Sequence, residues 1–368
     1  MQLTLQIKLL VDTTQKDSLL RTMVAFNAAA NLAAKAGFDG KVFSQPSIHG
    51  LTYYDIRTEY KLTAQLAVRA IGKAVDCFKR DKTVCPVFKP RSAVVYDERI
   101  MRFKGLTAVS LASLDGRLTI PIVIAGYQQR QLERALRTGQ ADLVYRTGKF
   151  YLLLTVELPD GPAREAVGVL GVDLGVEQIA VDSEGNFYTG EDVEKYRQKM
   201  QRLRNDLQSC GTRSAKRHLK RMAQREANYR RTKNHQISRR IVDLAKARNC
   251  AIALENLTGI RQRTRFRSKQ RARMSGWAFH QLRSFIAYKC VLAGVTMILV
   301  DPRNTSRTCN VCGHCEKGNR KSQAEFLCLS CGHKANADFN AARNIRAEGD
   351  VKPPIVTNVD QRALAAAS

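Results

Sequence analysis

The sequence predicts a multidomain α+β protein. Its length suggests two or three domains, and a short cysteine-rich cluster interrupts the pattern of the later part. Three observations carry that expectation. The first 160 residues mix alternating strand patterns with a block of helical periodicity. From residue 165, apolar runs ending in acids alternate with long helical stretches. Five of the ten cysteines fall between Cys309 and Cys331. At 368 residues and 44% hydrophobic, the chain can bury more than one core.

The elements read as follows. Leu3, Leu5, Ile7, Leu9 and Val11 alternate with mostly polar partners, which predicts an opening strand. Residues 16–36 and 53–80 read as helices, the second from Ile56, Tyr60, Ala67, Ile71, Val75 and Phe78. Residues 84–158 read as short strands broken by turns such as Asp115-Gly116, with one short helix near 128–138. Val167–Asp173 is a buried strand, followed by two strands in QIAVDSEG and NFYTG. Residues 191–248 form two long basic helices broken near Cys210-Gly211, and Cys250–Glu255 is a further apolar strand. A basic loop or lid (261–273), a helix at about 276–293 and a strand at Val295–Asp301 lead into the cysteine cluster. A helix over Asn336–Glu348 closes the pattern, and the tail after 349 reads as disordered.

Charge points to the partner. The net charge is +28. Residues 192–289 hold 27 basic and six acidic side chains, three quarters of that net charge. Neutralising phosphates releases condensed counterions, so such a region predicts a polyanion-binding face. The longest apolar run, Cys290–Val300, falls short of the roughly 20 residues of a spanning helix. The N-terminal segment has no unbroken apolar stretch of the signal-peptide kind. The expectation is a soluble cytoplasmic protein, associated with the nucleoid and not with membrane.

Strand-strand-strand-helix-strand-helix-strand-helix is the order of a ribonuclease H-like fold. In it, Asp173 and Glu255 end two strands and Asp338 opens the last helix. Ligands of open α/β sheets lie outside the carboxyl ends of the strands. Three acids gathered there would raise one another's pKa unless cations neutralised them. Mg²⁺ prefers oxygen ligands, and two such ions can run an in-line phosphodiester displacement. The expected ligands are Asp173 bridging two Mg²⁺, with Glu255 and Asp338 holding one each.

Cys309-x2-Cys312, then fifteen residues, then Cys328-x2-Cys331 fits a four-thiolate zinc ribbon. Gly313 and Gly332 follow the two pairs. Cys315 leaves a Cys312/Cys315 alternative open, and His314 and His333 read as bystanders. A zinc held by four thiolates has no open position, so it should fold a knuckle and perform no hydrolysis.

GVDLGVEQIAV around Asp173, IALENL around Glu255, Ser275–Val295 and Thr305–Ile345 resemble the TnpB family. These are transposon-encoded, OrfB-type RNA-guided DNA endonucleases related to type V CRISPR effectors. The motifs span about 165–346, half of the chain. The resemblance implies a RuvC nuclease domain at 165–304 and 334–348, with a zinc-ribbon insertion at 305–333. It also implies a β-barrel-like wedge domain at 1–12 and 82–160, carrying a helical recognition domain at 13–81. Implied partners are one transposon-end guide RNA per monomer and a double-stranded target DNA beside a short adjacent motif. Both strands would be cut in the single RuvC site. Arg320 resembles a family arginine at the catalytic site. Asn256 stands where Asp is common, and Cys315 is extra, but neither removes a ligand. The competing readings are a DNA strand-transferring transposase, an RNA-guided repressor and a plain zinc-ribbon binder. The repressor reading is weakened because all three acids stand.

Overall fold

The computed structural model describes residues 1–162, 164–175, 178–257, 279–322 and 324–351. The chain divides into two compact units, Met1–Pro159 and a second from Asp160 onward.

The first unit begins with β1 (Gln2–Leu9) and three helices, α1 (Thr13–Asp39), α2 (Gln45–Tyr60) and α3 (Ala64–Phe78). Then come β2 (Val94–Tyr96), β3 (Met101–Lys104), β4 (Ala108–Ser113), β5 (Gly116–Val123), α4 (Gly126–Glu133), β6 (Arg137–Arg146) and β7 (Lys149–Glu157). The strands form one antiparallel sheet in the order β2-β6-β7-β1-β5-β4-β3. β1 sits in its middle, pairing from Gln2–Glu157 to Lys8–Tyr151 along β7. Its Leu5, Ile7 and Leu9 turn inward, as do Phe150, Leu152, Leu154 and Val156 of β7, the period-two pattern of a one-sided core. The two edge strands are separated by only four residues of sequence. Tyr96 Oη of β2 donates to Ala112 O of β4 at 2.8 Å, so the sheet curls into a near-barrel.

Two local expectations need correction here. The helix predicted over 53–80 is two helices. Lys61 takes a left-handed turn (φ 52°) that buries Leu62, and α3 restarts at Ala64 behind Thr63. The helix predicted near 128–138 ends at Glu133. From Arg137 the chain pairs with β7, and that ladder overrides local helical preference.

The second unit contains β8 (Gly168–Asp173), β9 (Gln178–Asp182), β10 (Phe187–Thr189), α5 (Glu191–Cys210), α6 (Arg213–Ala247) and β11 (Cys250–Glu255). It continues with α7 (Phe279–Ala293), β12 (Met297–Val300), the hairpin β13 (Glu325–Leu327) and β14 (Lys334–Asn336), and α8 (Ala337–Val351). Its sheet runs β10-β9-β8-β11-β12, antiparallel through β8 and parallel beyond it. Helices cover both faces. Leu170, Val172, Ile252 and Leu254 pack against Ile237 and Ile241 of α6 and Leu282 and Ile286 of α7. Val169, Ala251, Ala253 and Val300 pack on the other face with Ile345 of α8. α8 lies so close that a Cβ on Gly171 would come within 2.4 Å of Arg346 N.

Here too the expected boundaries shift. β14 carries the hairpin to Asn336, past the expected edge at 333, because Lys334–Asn336 are the partners of Glu325–Leu327. α8 continues to Val351, so Gly349–Val351 are helical and not tail. Gly349 lies flat on Val169 and Ala253, and this contact extends the helix. The basic loop at 261–273, the start of the helix expected at 276, and the tail from 352 lie outside the described residues.

Candidate metal centre and acidic site

The parallel register fixes two of the three acids. Leu254 pairs with Val172, and one residue further along each strand stand Glu255 and Asp173. Asp338 is contributed by the first turn of α8, where Asn336 caps the helix. The Asn336 side chain accepts from Asp338 N at 3.0 Å and from Phe339 N at 3.2 Å. Asp338 is buried, and its Oδ2 would lie 3.7 Å from a Cβ built on Gly175, just past the end of β8.

The three carboxylates share one electrostatic field. Burial, then the charges of Glu255 and Asp338, hold the Asp173 carboxyl well above the usual carboxylate range, while Arg320 pulls the other way. Burial also raises Glu255. A hydrogen bond from Thr305 and the charge of Arg320 oppose that rise, while Glu348 and Asp301 add to it. Arg320 Nη2 donates to Asp338 Oδ1 at 3.0 Å. The Arg320 backbone is bridged to Phe326 of the β13–β14 hairpin, so the cysteine-bearing insertion delivers this guanidinium to the acids. An all-oxygen set whose charges repel suits a hard divalent cation.

The cysteines form a second, tighter site. The Sγ atoms of Cys309, Cys312, Cys328 and Cys331 all lie within 4.8 Å of one another. Cys309 and Cys331 are 3.7 Å apart, and Cys312 and Cys328 are 3.6 Å apart. Disulfides need about 2.05 Å. Thiolates about 2.3 Å from a tetrahedral zinc stand about 3.8 Å from one another, so the quartet fits zinc. Cys315 stands outside this grouping, which consists of Cys309, Cys312, Cys328 and Cys331.

The two halves of this site repeat one another. Gly313 N donates to Cys309 O and Cys309 N to His314 O, both at 2.9 Å. Gly332 N donates to Cys328 O and Cys328 N to His333 O, at 3.0 and 2.9 Å. Both glycines have positive φ, 77° and 73°, which a side chain would strain. His314 and His333 thus serve through their carbonyls. The Cys331 N–H donates to Cys328 Sγ at 3.5 Å and lowers that thiol's pKa, while the shared hydrogen bonds among the thiols raise Cys331.

Sequence reading missed Thr305, Asn336, Asn340 and Asn344. The recurrence of asparagine at 336, 340 and 344, one helical turn apart, was a legible signal. The Thr305 contact to Glu255 had none, because it spans 50 residues.

α5 and α6 carry the basic surface. Tyr196 stacks on Tyr229 at 4.4 Å and Arg204 pairs with Glu226, which tie the two helices. Arg213, Lys216, Arg217, Lys220, Arg221 and Arg225 are exposed, and none has an ion pair among the described residues. No helix of the described residues is long and apolar enough to cross a membrane.

Two family profiles match the chain. One described as "Probable transposase" (OrfB of IS605) covers residues 154–259, and one described as "Cas12f1-like, TNB domain" covers 279–345. The first span includes Asp173 and Glu255; the second includes Arg320, the cysteine quartet and Asp338. The chain is similar to the CRISPR-associated endodeoxyribonuclease Cas12f1 of Sulfoacidibacillus thermotolerans, with 29% identity over 83% of this chain and 82% of that protein. It is 28% identical to the "Putative RNA-guided DNA endonuclease InsQ" of Escherichia coli K12, over 77% of this chain and 73% of that one. It shares its fold with the Cas12f1 of a complex with sgRNA and target DNA. The TM-score is 0.61 at 15% identity, covering 90% of this chain and 83% of that one.

Proposed function

We propose that this chain, a relative of the TnpB and Cas12f endonucleases, is an RNA-guided DNA endonuclease that hydrolyses phosphodiester bonds at Asp173, Glu255 and Asp338. The observation that carries the reading is geometric: Asp173 and Glu255 stand at neighbouring strand ends, Asp338 comes from the first turn of α8, and one guanidinium pairs with it. On this reading residues 165–304 and 337–351 are the RuvC domain, and 305–336 are the zinc ribbon with its closing hairpin. Residues 1–12 and 82–160 are the wedge, and 13–81 the recognition helices.

Two Mg²⁺ ions, when bound, would supply an activated water and stabilise the leaving oxygen. Asp173, which feels the charge of both other acids, would be the ligand the two ions share, and Glu255 and Asp338 would hold one each. Arg320 keeps positive charge beside Asp338, where the transition state gathers negative oxygen. Zinc on Cys309, Cys312, Cys328 and Cys331 would have no open coordination position, so it shapes the ribbon and leaves the chemistry to the acids. The basic helices grip phosphate backbones without reading bases, while pairing between a transposon-end guide RNA and the target strand of duplex DNA supplies specificity. A short motif beside the target would license that pairing, with one chain acting per guide.

The test is Asp173→Ala in the guide-loaded protein. Mg²⁺-dependent cleavage of a matched duplex is expected to disappear, with guide and target binding retained. Loss of RNA binding in that variant would overturn the catalytic assignment. RNA co-purified with the chain is expected to be one abundant species ending in a variable guide segment. Only heterogeneous RNA, removed by a salt wash, would count against a guide.

A further inference from the structure

We infer that Thr305 is a positioning residue that fixes the Glu255 carboxylate relative to Asp338, through a brace built on α8. The inference rests on the metal-binding reading of the three acids. The chain leaves β12 beside Glu255, since Val300 is the strand partner of that residue. It then doubles back in a compact turn. Arg303 N donates to Asp301 Oδ1 at 3.0 Å, and Arg307 N and Thr308 N both donate to Asn304 O. The turn returns Thr305, buried at 3% exposure, with its hydroxyl 2.5 Å from Glu255 Oε1 and a longer 3.3 Å from Pro302 O.

The same turn is bolted to the helix that carries Asp338. Asn344 Nδ2 donates to Thr305 O and to Thr308 O, each at 2.7 Å. One turn earlier, Asn340 Nδ2 donates to Thr308 O at 2.8 Å, while its Oδ1 accepts from Asn310 N at 3.1 Å. Asn340 and Asn344 are both buried, so these bonds exchange little with water. Glu255, Thr305, Asn344 and the α8 backbone therefore form one connected path to Asp338. A carboxylate that must present a chosen oxygen to a cation needs its other oxygen held. The Thr305 hydroxyl does that from a β-branched side chain with few rotamers.

The test compares Thr305→Val, which keeps the shape and removes the hydroxyl, with Thr305→Ser, which keeps the hydroxyl. Mn²⁺ binding to the full chain is followed by electron paramagnetic resonance, with Asp173→Ala as the blank. The Mg²⁺ dependence of cleavage is measured alongside on the guide-loaded protein. Thr305→Val is expected to weaken Mn²⁺ binding and raise the half-saturating Mg²⁺ by about 10–100-fold, the usual cost of losing a hydrogen bond to a ligand. Thr305→Ser is expected to restore most of it, and zinc is expected to remain near one per chain in both. Asn344→Ala, which keeps the hydroxyl but frees the turn, should give a smaller change in the same direction. Wild-type Mn²⁺ binding in Thr305→Val, no rescue by serine, or loss of zinc from Thr305→Val would each overturn the inference. If wild type binds Mn²⁺ no better than Asp173→Ala, the metal-binding reading of the acids itself fails, which is a separate outcome.

Discussion

Asp173 shows how a residue proposed as a metal ligand can cost stability in the absence of the metal. Its carboxyl is raised by burial and by two neighbouring acids, so at pH values between the unfolded and folded pKa the folded chain keeps a proton that the unfolded chain has released. The sign follows from linkage. A raised carboxyl costs nothing below the unfolded value of about 3.9, and stability falls as pH rises through the folded value. In magnesium-free buffer, Asp173→Asn is therefore expected to melt above wild type at pH 8. The gap should narrow toward pH 5, and added Mg²⁺ should raise the wild-type midpoint alone. Each kcal/mol of relieved repulsion corresponds to about 2–4 °C for a unit of this size. Equal midpoints at both pH values would remove the repulsion from the account. Cys328 supports a parallel test at the other centre. Its thiol lies 3.6 Å from that of Cys312, and Cys328→Ser should drop zinc below one per chain. Full retention of zinc would reject the quartet as a ligand set.

Among the elements, β8 and α8 decide whether the site assembles. Gly171 faces α8, where an added Cβ would meet Ala342 O at 2.1 Å and Arg346 N at 2.4 Å, both backbone atoms that cannot swing aside. Gly171→Ala is expected to push the helix off the sheet, costing about 1–3 kcal/mol, and to displace Asp338 enough to slow cleavage. Gly168→Ala is the control on the same strand, since its Cβ would meet Cys250 Sγ at an ordinary 3.8 Å. Equal melting points for the two variants would show that α8 has room to move. The elements also show what could be read in advance. Cys250–Glu255 is legible because it is a short apolar run closed by an acid. The knuckles are legible because metal geometry imposes their spacing. The split between α2 and α3 is not, since Lys61 in a left-handed turn carries no local signal and the burial of Leu62 is tertiary. Thr305 is invisible for the same reason, as only the β11–β12 register brings it to Glu255.

For the molecule as a whole, a net charge of +28 favours a polyanionic partner without saying where its phosphates would lie. The structure narrows this, because most basic side chains are not equivalent. Arg69, Arg197 and Arg320 are spent on carboxylates within the chain, whereas the first half of α6 presents Arg213, Lys216, Arg217, Lys220, Arg221 and Arg225 to solvent with no ion pair among the described residues. At about 1.5 Å per residue, that ridge is about 18 Å long, enough to follow several consecutive phosphates of one strand. Replacing Arg217, Lys220, Arg221 and Arg225 together by Gln should leave the melting temperature unchanged, because none of them supports a buried contact. It should weaken nucleic-acid binding and flatten its salt dependence. Each lost phosphate contact reduces the slope of log K against log salt by about 0.9 on duplex or about 0.7 on a single strand, so four contacts amount to about 3.6 or about 2.8. The size of the decrement per residue thus also reports which form of nucleic acid lies on the ridge. An unchanged slope would place the phosphate contacts elsewhere on the chain and leave α6 as a solvated strut.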